Sequence, residues 1–342
     1  MVKPVTIAVD TMSGDRGVDV TVPASLAMLK TNEELRLILV GRKESVEPLL
    51  DGARQVSDRV RVHDAREVVE MDEAPADAMR KKKDSSMRVA INLVRDGEAG
   101  ACISAGNTGA LMATGRFVLK TVPGIDRPAI MARIPTKSGQ THMLDLGANS
   151  DCTSEQLFQF GVMGSVVVQG IEDIPKPRVA LLNIGEESMK GNDTIREAAA
   201  LLGDSVINYV GFVEGNSIPD GVADVVVCDG FSGNVALKTM EGTAQLVKHF
   251  LVQEFKTGVY GRLAALVAWP VLRSLSRRVD PRRYNGASLV GLNGIVVKSH
   301  GGADELAFQQ AIHTAMLEVD KDVPGQIRKI MAVEGHHEVL EA

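Results

Sequence analysis

The sequence predicts an α/β protein whose central sheet is largely parallel, and two patterns support this prediction. Short β-branched runs alternate with longer stretches of helical periodicity along the whole chain. Several of these runs are apolar at every position, which is typical of strands covered by helices on both faces of a sheet. The predicted strands are Val5–Asp10, Leu35–Val40, Val60–His63, Ala101–Ser104, Met143–Leu146, Val179–Ile184, Val206–Val213, Val222–Cys228 and Ile295–Ser299.

The composition is that of a globular protein in water. The 342 residues include 44% hydrophobic and 24% charged residues, and the formal net charge is −6. These values exclude disordered and fibrous classes, and the negative balance argues against a nucleic-acid partner. The sequence has no internal repeat and no low-complexity linker, so we expect residues 1–342 to form a single catalytic unit.

The cysteines and the start of the chain indicate a reducing compartment. Cys102, Cys152 and Cys228 lie far apart without CxxC spacing, and the chain opens on an apolar strand rather than on a charged leader. We therefore expect a cytoplasmic protein. The longest apolar run, Leu263 to Leu272, has 10 residues, against the ~18 needed to cross a bilayer.

Five loops rich in Gly, Asn, Ser and Thr follow predicted strands. Open α/β sheets bind ligands outside the carboxyl ends of their strands, where small residues let backbone N–H groups approach an anion. Lys or His residues accompany several of these loops, which favours an anion-handling site. The loops are residues 10–15, 104–109, 185–192, 229–234 with Lys238 one turn further on, and 299–304.

Common cofactor and nucleophile motifs are absent from the sequence. It contains no GxGxxG, no GxxxxGK(S/T) and no GxSxG, so it does not support a dinucleotide fingerprint, an NTPase loop or a serine-hydrolase elbow. No carboxylate spacing accompanies His336 and His337, so we expect no metal site.

Eight sequence blocks occur in order from about residue 5 to about residue 320. They are IAVDTMSGD, the stretch 71–87, ISAGNTGALMA, LDLGAN, LLNIGEE with KGN, FVEGN, VCDGFSGNVALKTMEG and GLNGIVVKSHGGAD. Together they closely resemble the bacterial phosphate acyltransferase (acyl-ACP:phosphate transacylase) family. This resemblance implies conversion of acyl-ACP and inorganic phosphate to acyl phosphate and free acyl carrier protein, in phospholipid (phosphatidic acid) biosynthesis.

The resemblance also implies a fold and a set of partners. The expected fold is a Rossmann-like αβα sandwich similar to the isocitrate and isopropylmalate dehydrogenase group, assembled as a homodimer. Acyl carrier protein and inorganic phosphate are the expected partners. No cofactor is expected, because phosphate is itself a nucleophile and the reaction needs mainly positioning and electrostatics. The sequence departs from the family pattern at Ser13, Ser150 and Ser217.

The catalytic residues that we expect are donors in three of the loops. Lys190, Asn192, Asn234 and Lys238 are expected to donate hydrogen bonds to phosphate or to the thioester carbonyl oxygen. His300 is expected to orient phosphate or to assist proton movement. The bland alternatives are a solvated lysine for Lys190 and a strand-end histidine bonded to backbone for His300.

A second group of residues is expected to bind phosphate or substrate. Asn107 and Thr108 are predicted to form an anion seat at a helix start. The others are Asp10, Ser232 and Gly301. Capping or donor orientation is the alternative for the aspartates Asp10, Asp145 and Asp229.

Residues 248–283 form a basic segment in an acidic chain. They hold eight Lys or Arg residues and two acidic residues, with apolar residues between them at helical spacing. We expect a protruding basic amphipathic helical pair near 241–283, which Pro270 should kink or split. Two interpretations remain open, a contact with anionic membrane or carrier protein and a packing surface for a second subunit. The predicted contact residues are Lys256, Arg262, Leu266, Trp269 and Arg273.

Alternative functions remain open at the level of sequence. A dehydrogenase-fold oxidoreductase would need a nicotinamide site and a divalent metal. A non-catalytic, membrane-associated scaffold would turn over no acyl thioester. A short-chain phosphotransacetylase that uses acyl-CoA is closely related to the hypothesis of acyl transfer from acyl-ACP to phosphate. A competition between acyl-ACP and acetyl-CoA separates the two.

Overall fold

The described residues form an eleven-stranded mixed sheet with helices packed on both of its faces. The computed structural model describes residues 4–278 and 280–341. The strands are β1 (Val5–Asp10), β2 (Leu35–Gly41), β3 (Val60–Asp64), β4 (Ala101–Ser104), β5 (Ala129–Thr136), β6 (Gly139–Leu144), β7 (Val179–Leu182), β8 (Tyr209–Val213), β9 (Val225–Val227), β10 (Ala287–Val290) and β11 (Ile295–Lys298). The α-helices are α1 (Val18–Thr31), α2 (Lys43–Val46), α3 (Pro75–Lys81), α4 (Ser86–Arg95), α5 (Thr108–Leu119), α6 (Ser154–Ile171), α7 (Asp193–Gly203), α8 (Gly230–Lys256), α9 (Gly258–Arg278), α10 (Glu305–Asp320) and α11 (Val323–Glu341).

The strand direction reverses in the middle of the sheet. The strand order is β3-β2-β1-β4-β11-β10-β5-β6-β9-β7-β8. Neighbours are parallel except at the adjacent pairs β11–β10, β10–β5 and β5–β6. Because three antiparallel pairs separate the two halves, β1, β4 and β11 run opposite to β6, β9 and β7. The carboxyl ends of the two halves therefore lie at opposite edges of the sheet.

Each strand predicted from the sequence corresponds to an observed strand, and the prediction of a largely parallel sheet is confirmed. The sequence pattern missed β5 and β10. Arg133 and Pro135 interrupt the apolar run of β5, and β10 begins with Ala287 and Ser288, which leaves it only two large apolar residues. These two strands produce the reversal, so its consequence for the site was missed as well.

Helices α5 and α8 pack on the same face of the sheet. Side chains of α4 and α5 pack with one face of β1, β4 and β11, and the first turns of α8 join the same apolar cluster. The opposite face is covered by α1 and α10 over one half and by α6 over the other. The end of α5 and the start of α8 therefore lie on the same side of the sheet.

Helices α8 and α9 form a hairpin that is exposed over most of its length. In α8 the buried residues are Gly230 and Gly233, and α9 has none. The helix pair predicted near 241–283 is present, but Pro270 does not split it, since it lies inside α9. The break falls at Gly258, whose φ of 66° favours glycine. No helix in the described part of the chain is long and apolar enough to cross a membrane.

A buried carboxyl group on α10 makes stability depend on pH. Glu318 is 3% exposed and accepts a hydrogen bond from Ser288 of β10. Burial raises its pKa from 4.5 to about 7, although Ser288 and Arg133 oppose the shift. The folded state therefore holds a proton between pH 4.5 and 7 that the unfolded state releases, and stability from this group falls as pH rises through that range.

Replacing Glu318 by Gln should remove this pH dependence. The free energy of unfolding of the variant relative to wild type should rise by on the order of 3 kcal/mol between pH 5 and pH 8. Chemical denaturation of both proteins at the two pH values measures the change. Subtracting wild type cancels the titration of other groups, so a constant difference across this range would contradict the prediction.

Candidate active site

Three loops meet where β6, β9 and β7 end. They are residues 145–153 after β6, 183–192 after β7 and the turn 228–229 between β9 and α8. Because β9 pairs in parallel with both β6 and β7, these carboxyl ends lie side by side. We call these three loops the β6–β9–β7 edge.

Asp145 holds the loop after β6 in shape. Its Oδ1 accepts hydrogen bonds from the backbone N–H groups of Ile130, Gly147 and Ala148 at 3.0, 3.2 and 3.0 Å. Its Oδ2 accepts from the backbone N–H and the side-chain amide of Asn149 at 2.7 and 2.9 Å. Burial raises the pKa of Asp145, and these hydrogen bonds oppose the shift. Asp145 therefore braces a loop rather than capping a helix.

An Asp145→Asn variant should lose stability and turnover together. The new amide would direct N–H groups at backbone donors that now share the carboxylate, and each buried donor left unpaired costs about 1–3 kcal/mol. Thermal unfolding and steady-state rates measured on the same preparation test this expectation. A wild-type melting temperature would contradict the structural role.

Asn234 reaches this loop from the first turns of α8. A Cβ built on Gly147 would lie 2.8 Å from Asn234 Nδ2, and one built on Gly233 would lie 1.9 Å from the carbonyl oxygen of Asp145. Glycine at these two positions lets the helix pack directly on the loop. The exposed Asn234 amide has no hydrogen bond to another residue in the described ranges, so it is free to bind a ligand.

The start of α8 is capped by Asp229, which was one of the alternatives for that residue. Its Oδ1 accepts from the backbone N–H of Ser232 at 2.8 Å, and its Oδ2 accepts from the Ser232 hydroxyl at 2.7 Å. The hydroxyl proton of Ser232, a predicted substrate-binding residue, is therefore directed at the cap. The oxygen of Ser232 is still able to accept a hydrogen bond.

Lys190 lies on the loop after β7. Asn183, which is mostly buried, donates from Nδ2 to the carbonyl oxygen of Lys190 at 3.3 Å, and Gly191 turns the chain with φ of 88°. The Lys190 side chain is exposed, and no carboxylate of the described chain lies within ion-pair distance of it. A free ammonium group is thus held on an anchored loop.

The other two predicted donors are partly occupied. Asn192 caps α7 by accepting from the backbone N–H of Ile195 at 2.9 Å, which leaves only its amide N–H groups free. Lys238 lies one turn beyond Asn234 and pairs with Glu241 at 2.8 Å. Both residues lie near the edge, but less of each side chain is available to a ligand.

Three helices begin at the β6–β9–β7 edge, whose loops also carry the carboxylates Asp145, Asp151, Glu186, Glu187 and Asp229. Helices α6, α7 and α8 all begin here, with N-caps at Thr153, Asn192 and Asp229. Each helix start carries a partial positive charge and free backbone N–H groups. Together with Lys190, these N–H groups are the donors that the edge offers to a negatively charged ligand.

The remaining predicted site residues lie at the opposite edge of the sheet, where β1, β4 and β11 end. The sequence interpretation combined them with Lys190 and Asn234 as one anion site. Within one chain the strand reversal separates the two groups, because the loops of each half follow strands of opposite direction. This separation corrects the expectation of a single cluster.

At that second edge, Asp10 is buried inside interlocked loops. Its Oδ2 accepts from the Ser104 hydroxyl at 2.6 Å, and its Oδ1 has no partner in the described chain. Ser13 donates to the Asp10 carbonyl oxygen at 3.1 Å and accepts from the backbone N–H of Ala105 at 2.9 Å. Burial raises the pKa of the Asp10 carboxyl group. Asp10 therefore joins two loops and caps no helix.

Asn107 is used fully by the protein itself. Its Oδ1 caps α5 by accepting from the backbone N–H of Ala110 at 3.0 Å. Its Nδ2 donates to the carbonyl oxygens of Met71 and Glu73, both at 2.9 Å. Thr108 follows as an exposed first residue of the helix. An anion at this helix start would contact backbone N–H groups and Thr108, not the Asn107 side chain.

His300 is exposed and tied to backbone on one side. Its backbone N–H donates to Asn285 Oδ1 at 2.9 Å, and its Nδ1 accepts from the Gly302 N–H at 3.1 Å. In the neutral ring the proton is then assigned to Nε2. Gly301 accepts from the backbone N–H of Asp15 at 2.9 Å, which joins this loop to the one after β1.

The sequence reading missed Lys298, which ends β11 at the second edge. It is 9% exposed, and its Nζ donates to the carbonyl oxygens of Ala105 and Ser299. Burial lowers its pKa to about 8, although Asp10 and Asp15 oppose the shift. A lone lysine closing an apolar strand was the available signal.

No group of three His, Cys, Asp or Glu side chains arranged to hold a metal ion occurs in the described residues. The cysteines there are free, and burial raises the pKa of Cys152 to about 12.

Comparison with known proteins agrees with this architecture. The chain has the fold of the phosphotransacetylases, since it matches the crystal structure of a phosphotransacetylase from Streptococcus pyogenes with a TM-score of 0.61 and 19% identity, over 92% of this chain and 94% of that one. Residues 5–326 match the family model described as "Fatty acid synthesis protein".

Two curated relatives define the family. The chain is 63% identical to the "Phosphate acyltransferase" of Alkalilimnicola ehrlichii, over 96% of both chains. It is 57% identical to the "Phosphate acyltransferase" of Methylococcus capsulatus, over 95% of this chain and 96% of that one. The chain therefore belongs to the phosphate acyltransferase family, a family of enzymes, and the resemblance identified from the sequence is confirmed.

Proposed function

We propose that the chain transfers the acyl group of acyl-ACP to inorganic phosphate, which yields acyl phosphate and free acyl carrier protein for phospholipid synthesis. Family membership supports phosphate as the acceptor, and acyl-ACP as the donor is the part that we add. The observation that supports the site is the pair of unoccupied donors, Lys190 and Asn234, where three helices begin.

In the proposed reaction, phosphate binds first, beside Lys190. The Lys190 ammonium and backbone N–H groups at the helix starts hold the dianion. A phosphate oxygen attacks the thioester carbon, a C–O bond forms, and negative charge develops on the carbonyl oxygen. The Asn234 amide stabilises this oxygen.

The intermediate then collapses with cleavage of the C–S bond. The thiolate of the carrier protein leaves with the bonding electron pair and takes a proton from solvent. A thiol with a pKa of about 8.5 is a good leaving group and needs little protonation help. No covalent acyl-enzyme is required.

The other predicted residues have lesser or separate roles in this proposal. Asn192 contributes an amide donor to the phosphate, and the Ser232 oxygen can accept from the protonated oxygen of the phosphate. Lys238 contributes long-range charge while paired with Glu241. Thr108, His300 and Gly301 are proposed to bind substrate at their own edge rather than beside Lys190. Asp10 and Asn107 are proposed to hold the loops of that edge in shape.

The α8–α9 hairpin is proposed to contact other molecules from a cytoplasmic enzyme. Leu266 and Trp269 are 78% and 63% exposed, and the basic residues Lys256, Arg262 and Arg273 are exposed beside them. This combination supports peripheral binding to an anionic membrane, and the further apolar residues exposed on α8 support a homodimer interface. We also propose that the fold is related to the isocitrate and isopropylmalate dehydrogenase group.

The deciding experiment is phosphate-dependent release of free carrier protein from long-chain acyl-ACP by the purified chain. Acetyl-CoA competes in the same reaction. Release that requires phosphate and resists acetyl-CoA would support the proposal. Preference for acetyl-CoA would instead indicate a short-chain phosphotransacetylase, and no turnover of either thioester would refute acyl transfer.

A further inference from the structure

An exposed aromatic residue on α5 lies between two cations. Phe117 is 52% exposed. The Arg88 Cζ lies 5.1 Å from the centre of its ring and the Lys120 Nζ lies 5.2 Å from it. Both cations are within the range of a cation–π interaction, which holds the ring in place before any partner arrives.

These cations have no acidic partner in the described chain. Arg88 makes one long contact, from Nε to Asn92 Oδ1 at 3.4 Å, and the charged group that acts on it most is another cation, Arg95. Arg116 and Lys120 are exposed and form no ion pair with residues 4–278 or 280–341. In a chain of net charge −6, this is a local positive surface around an apolar centre.

The backbone at Lys120 is strained, and hydrogen bonds from Asn293 and to Arg116 hold it in that conformation. Lys120 follows the last residue of α5 with φ of 60° and ψ of 172°, a region populated essentially by glycine. Glycine is also the common residue just past a helix end. The chain keeps a lysine here, and the contact that this lysine makes is with the exposed ring of Phe117.

The position of this surface relates it to the proposed site. Asn293 joins the backbone on both sides of Lys120 to the turn between β10 and β11, by bonds to the carbonyl oxygens of Leu119 and Thr121 at 3.2 and 2.8 Å. That turn is at the amino end of β11, hence on the same side of the sheet as the β6–β9–β7 edge. Helix α5 also shares a sheet face with the start of α8.

We infer that Arg88, Arg116, Phe117 and Lys120 form the docking surface for the carrier protein that brings the acyl group. The inference rests on the proposed function. Charge complementarity favours an acidic protein whose helix places an apolar side chain against Phe117 and carboxylates against the cations. About four strands at ~4.8 Å separate the surface from the start of α8, a distance of roughly 20 Å that a flexible prosthetic arm suits.

The sharpest test is a Lys120→Gly variant. Glycine relieves the strained backbone, so a purely structural role predicts equal or higher thermal stability and unchanged kinetics. Docking predicts instead that KM for acyl-ACP and Kd for holo-ACP rise about fivefold to tenfold, with kcat within about twofold of wild type. The increase should shrink at high salt, because screening weakens the wild-type contact.

Further variants separate charge, ring and strain. Arg116→Glu and Phe117→Ser should each weaken holo-ACP binding at least as much. Lys30→Gln, an exposed lysine on α1 under the other sheet face, and Asp173→Gly, a second non-glycine residue with positive φ, serve as controls and should leave binding unchanged.

The outcomes discriminate between the inference and the proposed function. Turnover of acyl-ACP by wild type, with unchanged KM and Kd in all three surface variants, would overturn the docking surface alone. No turnover of acyl-ACP by wild type would refute the proposed function. If the variants lose binding to vesicles of anionic lipid but keep their affinity for holo-ACP, the surface is a lipid contact and the inference is wrong.

Discussion

Replacing Lys190 by Ala, or Asn234 by Ala, should lower kcat at least about tenfold while the fold stays intact. Each variant removes a donor from the place where charge is bound or develops, and such donors contribute to the transition state far more than to folding. Neither side chain makes a bond that its loop needs. Circular dichroism and thermal unfolding should therefore match wild type while the rate of phosphate-dependent transfer falls.

The two variants should differ in how they lower the rate. Loss of Lys190 should raise KM for phosphate, because its charge is proposed to hold the dianion in the ground state as well. Loss of Asn234 should lower kcat with little change in KM, because its amide is aimed at the oxyanion. Initial rates over a matrix of phosphate and acyl-ACP concentrations resolve this difference.

Matched controls come from surfaces away from the β6–β9–β7 edge. Lys176→Ala removes an exposed lysine, and Asn32→Ala removes a half-buried amide whose hydrogen bonds go to Met28 and Thr31 at the end of α1. Both controls should keep wild-type rates. Near-wild-type rates for both Lys190→Ala and Asn234→Ala would remove these residues from the mechanism and leave the reaction centre to the other edge of the sheet.

Replacing Leu266 by Glu should release the protein from vesicles containing anionic lipid and leave transfer from soluble acyl-ACP nearly unchanged. The Leu266 side chain is 78% exposed on α9. In the variant, a carboxylate would replace it at the boundary between lipid headgroups and acyl chains. Basic neighbours contribute about 1 kcal/mol each near an anionic surface. Arg273→Gln should therefore weaken binding less than Leu266→Glu and make it less sensitive to salt.

Co-sedimentation with vesicles and sedimentation velocity measure the two properties of this hairpin separately. Leu49→Glu changes another exposed leucine, in a short helical turn after α2, and should alter neither property. Dissociation of a dimer by Leu266→Glu would show that the exposed apolar residues of the α8–α9 hairpin form a subunit interface. Unchanged vesicle binding with an intact dimer would place membrane attachment elsewhere.

The sequence predicted local structure well where one physical signal dominates. Apolar, β-branched runs such as Val5–Asp10 became buried strands, because burial on both faces leaves few other options. Pro270 was expected to kink or split its helix, and the predicted split is wrong because α9 continues through it. The break depended on Gly258, a residue whose positive φ no periodicity reports.

The arrangement of the site was less predictable. Loop composition identified Lys190 and Asn234 as donors. The strands β5 and β10 at the sheet centre, which the sequence pattern missed, decide which loops lie at the same edge of the sheet. The bracing by Asp145 depends on five contacts formed only after folding. The buried Lys298 combines a charged residue with an apolar strand, a conflict that sequence shows but does not resolve.

The position of β11 has a consequence for synthesis on the ribosome. It pairs with β4 on one side and β10 on the other, yet it emerges about 190 residues after β4. At about 5–20 residues per second, β4 waits on the order of 10–40 s with an unpaired edge. An open edge of this kind is a template for wrong pairing. Nascent chains stalled before residue 295 should therefore depend on chaperones, and the native N-terminal half should form only after the last strand is made.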